Sequence, residues 1–213
     1  MKVLVVTSSS DTNGLAAVCG EAARQGVVDG KSPARVINLN EFNVLRCAEC
    51  DDGWGPCRIE HRCRLADDFA KLQDMFHAAE GYVFVTPVIF GEPSETFRAF
   101  FARLRRCEAT KKGGEKSALT GKPAICIAAA EGSGDGAIHC LAEMEHLVQQ
   151  LSAQGFDYIA ITQRTREYQI ETIHDGLVAM CTPKPLPQAM PISARKRSRS
   201  NGRSKRRIGR RQS

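Results

Sequence analysis

The fold is decided first by Lys2-Val3-Leu4-Val5-Val6-Thr7, a nearly continuous run of β-branched and aliphatic residues. Such a run predicts a strand buried on both faces, as in a parallel sheet. The polar loop Ser8-Ser9-Ser10-Asp11-Thr12-Asn13-Gly14 follows, and a helical pattern begins at Leu15. Strand, polar loop and helix in this order predict the first unit of an α/β protein.

The same alternation repeats along the chain to about residue 180. Strands are predicted at 2–7, 34–39, 82–86, 124–130 and 156–162, the third being stopped by Pro87. Helices are predicted at 15–25, 67–79, 94–107, 137–153 and 167–180, the first being closed by Gly26 and Gly30. The pattern predicts a three-layer α/β sandwich, in which a five-stranded parallel sheet carries helices on both faces. The carboxyl ends of its strands would share one edge, where ligands of such sheets bind.

The net charge of +6 is distributed unevenly along the chain. From Lys184 onward there are 11 Lys or Arg and no acidic residue, whereas residues 1–183 carry a net charge of −5. We therefore expect one folded domain at 1–182 and a basic, disordered tail at 183–213. The tail leaves open a nucleic-acid-associated module, because such a run attracts phosphates without specificity. No apolar run approaches the roughly 20 residues of a membrane span, so we expect a cytoplasmic protein without a membrane partner.

The first polar loop is rich in hydroxyl groups and leads directly into a helix. Exposed N–H groups at a helix N-terminus favour an anion, and neutral hydroxyl donors add to them. The chain contains neither GxxxxGK[ST] nor GxGxxG, which argues against an ATP-binding P-loop and a dinucleotide-binding Rossmann site. A small phosphate monoester fits this loop better, and the simpler interpretation is an N-cap within a serine-rich turn.

The segment after the third strand reads Thr86-Pro87-Val88-Ile89-Phe90-Gly91-Glu92-Pro93-Ser94, and a helix ending in Ala102-Arg103-Leu104 follows. It resembles the flavin-contacting segment of the NAD(P)H-dependent FMN reductases in the flavodoxin-like superfamily. The resemblance spans about residues 2–180, including the helix start Asp67-Asp68-Phe69 and the glycine loop after the fourth strand. It departs at Ile89, where an aromatic residue is usual, and at Ala102, where Asp is usual.

The resemblance implies a flavodoxin-like fold that binds FMN and uses NAD(P)H as co-substrate. The residues implied to hold the FMN phosphate are Ser8, Ser10, Thr12, Asn13 and Gly14. Those implied to lie along the isoalloxazine ring are Pro87, Val88, Ile89, Phe90 and Gly91, with Glu131, Gly132, Gly134 and Gly136 at its other side. The flavin carries the chemistry, so no catalytic side chain is assigned. The family also implies a homo-oligomer.

Four of the nine cysteines fall close together, at Cys47, Cys50, Cys57 and Cys63. Four thiolates within 17 residues can surround one metal or cluster. A [4Fe–4S] cluster would resemble the iron–sulfur flavoproteins, although their cysteines are spaced more tightly; zinc is the second possibility, with His61 as an alternative ligand. Unliganded thiols that pack within the loop are the third. The other five cysteines, Cys107 among them, are interpreted as incidental.

These observations predict an FMN-dependent oxidoreductase that passes electrons from NAD(P)H to a small acceptor, such as a quinone or free flavin. The alternative within redox chemistry is an iron–sulfur flavoprotein that exchanges electrons with a redox protein through the four-cysteine loop. Binding of nucleic acid through the basic tail is the alternative from another class.

Overall fold

The computed structural model describes residues 1–111 and 115–182. Six strands lie at Val3–Thr7 (β1), Ala34–Asn38 (β2), Gly81–Ile89 (β3), Glu92–Pro93 (β4), Pro123–Ala130 (β5) and Gln154–Thr162 (β6). Six α-helices of the described residues lie at Leu15–Asp29 (α1), Cys50–Gly53 (α2), Phe69–Ala78 (α3), Glu95–Glu108 (α4), Ala137–Gln150 (α5) and Arg166–Cys181 (α6). None of the helices in these two ranges is both long and apolar enough to cross a membrane. The basic tail lies outside the described residues.

The sheet has the strand order β2-β1-β3-β5-β6, and all pairs along this path are parallel. The prediction of a parallel α/β sandwich is therefore confirmed. One addition is the two-residue strand β4, which pairs antiparallel with the end of β3. The chain moves from β1 outward to β2 and then returns to the other side of β1 at β3. This reversal is the point at which open α/β sheets bind their ligands.

The sheet is covered on both faces, as its nearly continuous apolar strands require. One face packs α3, α4 and α5 around a group of aromatic rings, including Phe76, Phe84, Phe100 and Phe101. The other face packs α1 and α6 through smaller aliphatic side chains, such as Val27 and Leu177. The stretches Val-Leu-Val-Val of β1 and Ile-Cys-Ile of β5 are apolar throughout, and each of their residues is buried.

Several predicted boundaries differ by a few residues; the helix predicted at 137–153, for example, ends at Gln150. Two of the differences have a packing reason. Helix α1 continues past Gly26 to Asp29, because Gly26 is a contact residue: a β-carbon there would lie 2.4 Å from the carbonyl oxygen of His174 in α6. Strand β3 continues past Pro87 to Ile89. The pairing of β3 with β1 ends at Val85, so residues 86–89 of β3 have no partner strand on that side. Pro87 is therefore tolerated there, as a proline is in an edge strand.

Candidate functional site

Three loops meet at the carboxyl edge of the sheet, on either side of the β1–β3 reversal. We call the segments 8–14, 88–92 and 131–136 the first, second and third edge loops. The first and third follow β1 and β5, and the second comprises the last two residues of β3 and the turn into β4. The strands β1, β3 and β5 are neighbours in the sheet. Because parallel strands all end at this edge, the order of the strands alone brings the loops together.

A directed chain of hydroxyl groups joins the first two edge loops to α4. The Ser94 hydroxyl donates to Ser8 Oγ at 2.8 Å, and the Ser8 hydroxyl donates to Thr86 Oγ1 at 3.1 Å. Thr86 in turn donates to the carbonyl of Pro87 and accepts from the Ser94 N–H at 3.0 Å. Ser8, Thr86 and Ser94 are all buried. The side chain of Ser8, predicted to hold a phosphate, is thus engaged within the protein, where it fixes the two loops relative to each other.

The middle of the first edge loop, residues 10–13, is open to solvent, whereas Ser9 and Gly14 are buried. Ser10, Thr12 and Asn13 are exposed, so their polar groups can reach a ligand. Asp11 shapes the turn: its Oδ1 accepts the N–H of Asn13 at 2.8 Å, and its carbonyl accepts the Ser9 hydroxyl at 2.7 Å. No role was predicted for Asp11, although Asp commonly forms such a turn by accepting the N–H two residues further along the chain.

The second edge loop presents apolar side chains to solvent. Phe90 is fully exposed and Ile89 is 47% exposed, which is unusual for large apolar residues beside a buried strand. Phe90 also has a φ of 50°, in the left-handed region that non-glycine residues rarely occupy. A strained, exposed aromatic side chain next to a ligand-binding edge is typical of functional loops.

Glycine allows the third edge loop to touch the second. A β-carbon on Gly136 would lie 2.5 Å from the Cα of Gly91, and Gly136 has a φ of 78°. Two backbones at this separation leave no room for a side chain between them. The loops therefore form one continuous surface, of the sort against which a flat ring could lie.

The third edge loop reaches the first through a carboxylate. Glu131 Oε1 accepts the N–H of Leu15, the first residue of α1, at 2.6 Å. The N-cap residue Gly14 has no side chain that could accept this hydrogen bond, so the helix end is open to an outside acceptor. Glu131 was predicted beside the ring, whereas its carboxylate lies at the helix terminus expected to bind the phosphate.

The cysteine loop, residues 47–63, lies apart from these contacts and packs on α4. Its four cysteines line one small cavity of about 20 Å³, together with Arg64, Arg103 and Arg106. Cys107 lines the same cavity. Cys107, interpreted from the sequence as incidental, lies one helical turn after Arg103 and on the same side of α4, which places it at this cavity. That spacing was the signal that could have identified it.

A buried ion pair holds the cysteine loop in place. Arg103 and Asp67 have side chains that are 1% and 0% exposed, with Nη2 and Oδ1 2.9 Å apart. Burial alone would raise the pKa of Asp67, but Arg103 and the N–H groups of Leu45 and Phe69 outweigh it and lower that pKa. Arg103 also donates to the carbonyl of Leu45 at 3.0 Å. The pair therefore fixes the chain just before Cys47.

Trp54 anchors the middle of the same loop. Its ring lies under the guanidinium of Arg106 at 4.8 Å and that of Arg58 at 5.9 Å, distances suited to cation–π contact. Arg106 also donates to the carbonyl of Gly53. These contacts attach the loop to α4.

Within residues 1–111 and 115–182, no group of three or more His, Cys, Asp or Glu side chains is arranged to hold a metal ion. The cluster or zinc predicted at the four cysteines therefore has no support from this arrangement. Burial raises the pKa of the Cys107 thiol to about 12, so Cys107 is protonated at neutral pH.

A second buried carboxylate, Glu108, closes α4. It accepts from His77 at 2.7 Å, from Lys111 at 2.9 Å and from the N–H of Ala118 at 2.8 Å. Burial opposes ionisation, but these donors hold the pKa of Glu108 well below its usual range. The end of α4 and the following segment are thus joined around one buried negative charge.

The strand order and the three edge loops define a flavodoxin-like protein, which solved structures also indicate. The chain is similar to a flavone reductase (14% identity, TM-score 0.66, covering 85% of this chain and 62% of that one). It also resembles RosB with a bound 8-demethyl-8-formylriboflavin-5'-phosphate intermediate (12% identity, TM-score 0.65, covering 100% of this chain and 99% of that one). A third similar structure is an NAD(P)H:quinone oxidoreductase from Methanothermobacter marburgensis (13% identity, TM-score 0.63, covering 84% of this chain and 96% of that one). At these identities the likeness concerns the fold alone.

The family is given by the sequence itself. A family model described as NADPH-dependent FMN reductase matches residues 1–162, so the chain belongs to that family. It is accordingly an NAD(P)H-dependent flavin oxidoreductase, and the predicted family resemblance is confirmed. No curated protein sequence matches the chain.

Proposed function

We propose that the three edge loops bind FMN, and that the protein passes electrons from NAD(P)H through this flavin to a small acceptor such as a quinone or free flavin. The observation that carries the proposal is the meeting of the three loops at the β1–β3 reversal, in a chain of the FMN reductase family. Bound FMN would supply the hydride and single-electron chemistry. The protein's residues bind and orient it.

The residues present at the edge fit such a ligand. The exposed side chains of Ser10, Thr12 and Asn13 offer neutral donors to a phosphate beside the N-terminus of α1. The second edge loop offers an exposed apolar surface at Ile89 and Phe90. Contact between Gly91 and Gly136 brings the third loop to the same surface without a side chain between them. Ser8 acts indirectly, by fixing Thr86 and Ser94 beneath the loops.

A fluorescence titration of the purified protein with FMN tests binding, and NADPH or NADH oxidation with a benzoquinone acceptor tests turnover. We expect quenching of flavin fluorescence to saturate at one FMN per chain, and nicotinamide oxidation to require the flavin. Oxidation that proceeds equally in flavin-free protein, or flavin that fails to bind, would contradict the proposal.

The cysteine loop supports a second candidate, the iron–sulfur electron carrier, through a single observation. Four cysteines predicted as ligands line one cavity, although their arrangement does not match a metal site. Iron, sulfide and zinc analysis of anaerobically purified protein decides this. Iron and sulfide near four atoms each per chain would favour the carrier, whereas metal-free protein would leave the cysteines as packing thiols.

Two further expectations concern partners. The family implies a homo-oligomer, and we propose that a second copy covers the groove of about 550 Å³ between α4 and α5, whose lining includes the polar side chains of Arg98, Arg105 and Glu143. Light scattering of the full chain measures the oligomeric state. Deletion of residues 184–213 tests nucleic-acid binding, since salt-sensitive binding that depends on the basic tail should disappear with it.

A further inference from the structure

The N-terminus of α1, at the edge of the sheet, already binds a carboxylate of the protein itself, that of Glu131. Glu131 Oε1 lies 2.6 Å from the N–H of Leu15, within the range of a strong, charge-assisted hydrogen bond. The N-terminus of a 15-residue helix carries roughly half a positive charge, which favours a carboxylate there. A phosphate placed at the same N–H would need the same position.

A second carboxylate stands beside the first. A β-carbon built on Gly14 would lie 3.0 Å from Glu131 Oε1 and 3.2 Å from Asp11 Oδ2, so the two carboxylates flank this glycine. Asp11 also occupies the N–H of Asn13 at 2.8 Å. Two of the backbone donors around the helix start are therefore bonded to the protein's own negative charges.

A phosphate would meet unfavourable charge in this arrangement. Two like unit charges 4 Å apart repel by about 1 kcal/mol in water and about 4 kcal/mol near a protein surface. Asp11 is part of the turn that shapes the first edge loop, through its bonds with Ser9 and Asn13. Glu131 makes a single side-chain hydrogen bond among the described residues, and it is the one that can leave without breaking the turn.

The Glu131 side chain can move by itself. Residue 131 is exposed and follows β5 directly, so rotation about its own side-chain torsions carries the carboxylate away from Leu15. The backbone of the third edge loop, with Gly136 against Gly91, need not move. The bond from Glu131 to the helix can therefore open independently of the contact between the second and third edge loops.

We propose that Glu131 is an internal competitor for the phosphate position, so that it selectively weakens the binding of phosphorylated flavin relative to unphosphorylated flavin. This rests on the proposed function, because it assumes that flavin binds at this edge. FMN would bind by displacing the Glu131 carboxylate from the N–H of Leu15, whereas riboflavin, which has no phosphate, would leave that bond intact. The consequence is an FMN that exchanges readily and can serve as a substrate.

The test compares dissociation constants for FMN and riboflavin by fluorescence quenching in wild type, Glu131→Gln and Glu131→Ala. The control is Glu167→Gln, which removes the same charge from the first turn of another helix, α6. Removing the competing charge should tighten FMN binding about tenfold, near the lower end of the repulsion expected between two close unit charges. Riboflavin binding should change less than twofold in every variant, and Glu167→Gln should resemble wild type for both flavins.

Unchanged or weaker FMN binding in both Glu131 variants would overturn the proposal, and so would an equal gain for riboflavin. Thermal unfolding of each variant, measured without flavin, shows whether it is folded when it is titrated. If neither flavin binds the wild-type protein or any variant, the flavin site itself is wrong. That outcome is distinct from normal flavin binding that is indifferent to Glu131.

Discussion

The edge loops and the cysteine loop are both irregular segments, but different forces position them. The edge loops lie where they do because β1, β3 and β5 are adjacent parallel strands, and their contacts are short hydrogen bonds and glycine contacts across the edge. The cysteine loop follows no regular pattern and is held by distant residues of α4, chiefly Arg103. Topology thus positions the first region, and one buried charge pair positions the second.

The largest expected effect follows from breaking that pair. Asp67→Asn would leave Arg103 as an uncompensated buried charge, which typically costs 3–5 kcal/mol. We expect the free energy of unfolding to fall by about 3 kcal/mol in urea denaturation. The control, Arg64→Gln, breaks an exposed pair with Asp51 in the same loop and should cost less than about 1 kcal/mol. Equal losses in the two variants would show that burial does not distinguish these pairs.

The next effect concerns the edge loops. Gly136→Ala would place a β-carbon 2.5 Å from the Gly91 Cα at a φ of 78°, forcing the second and third edge loops apart. Strain of this kind costs about 1–3 kcal/mol, so FMN affinity should fall by about tenfold or more. Gly132→Ala is the control, since it has a similar φ of 65° but meets no atom within 4 Å. Similar FMN affinities in the two variants would mean that flavin binding does not depend on the contact between Gly91 and Gly136.

A third prediction concerns acid stability. The pKa of Glu108 is lowered in the folded protein, so the unfolded chain binds more protons as pH falls through the ordinary carboxyl range. The ionised Glu108 carboxylate stabilises the folded protein at neutral pH, and this contribution is lost as the pH falls below about 5. The free energy of unfolding then falls by about 1.4 kcal/mol per pH unit for each proton bound on unfolding. Urea denaturation from pH 7 to pH 3 should show a shallower fall in Glu108→Gln than in wild type.

The matched control is Glu171→Gln on the exposed face of α6. Its curve should run parallel to that of wild type. A Glu108→Gln curve with the wild-type slope would mean that the donors around Glu108 do not stabilise its charged form.

The smallest effect is chemical. Burial raises the pKa of the thiols of Cys19, Cys107 and Cys140 to about 12, and it raises that of Cys126 further. These four should react slowly with a thiol reagent at pH 8, while the five partly exposed cysteines react first. Counting modified thiols by mass spectrometry before and after denaturation checks this. Rapid native modification of Cys107 would mean that the cavity in the cysteine loop is more open than its packing indicates.

The comparison also explains what the sequence could predict. The buried strands and the edge they share were predictable, because continuous apolar runs separated by helices permit few arrangements. Membership of the FMN reductase family was predictable from the segment after β3, and the match to residues 1–162 confirms it. The individual site residues assigned from that resemblance stay predictions.

The roles that escaped sequence reasoning depend on contacts between distant residues. The engagement of Ser8 with Thr86 and Ser94 and the reach of Glu131 to Leu15 join segments that are 78 to 116 residues apart. The cavity of the cysteine loop likewise joins distant parts of the chain, because Cys107 of α4 lines it together with the four cysteines of the loop. Local patterns encode strands and turns, whereas side-chain partners across the edge follow only once the sheet is assembled.

Hydrogen–deuterium exchange with and without FMN tests most directly whether flavin binds at the edge loops. We predict that saturating FMN slows amide exchange in segments 8–14, 88–92 and 131–136 and leaves residues 47–63 unchanged. Protection confined to the cysteine loop, or bound FMN that protects none of the three edge loops, would contradict it.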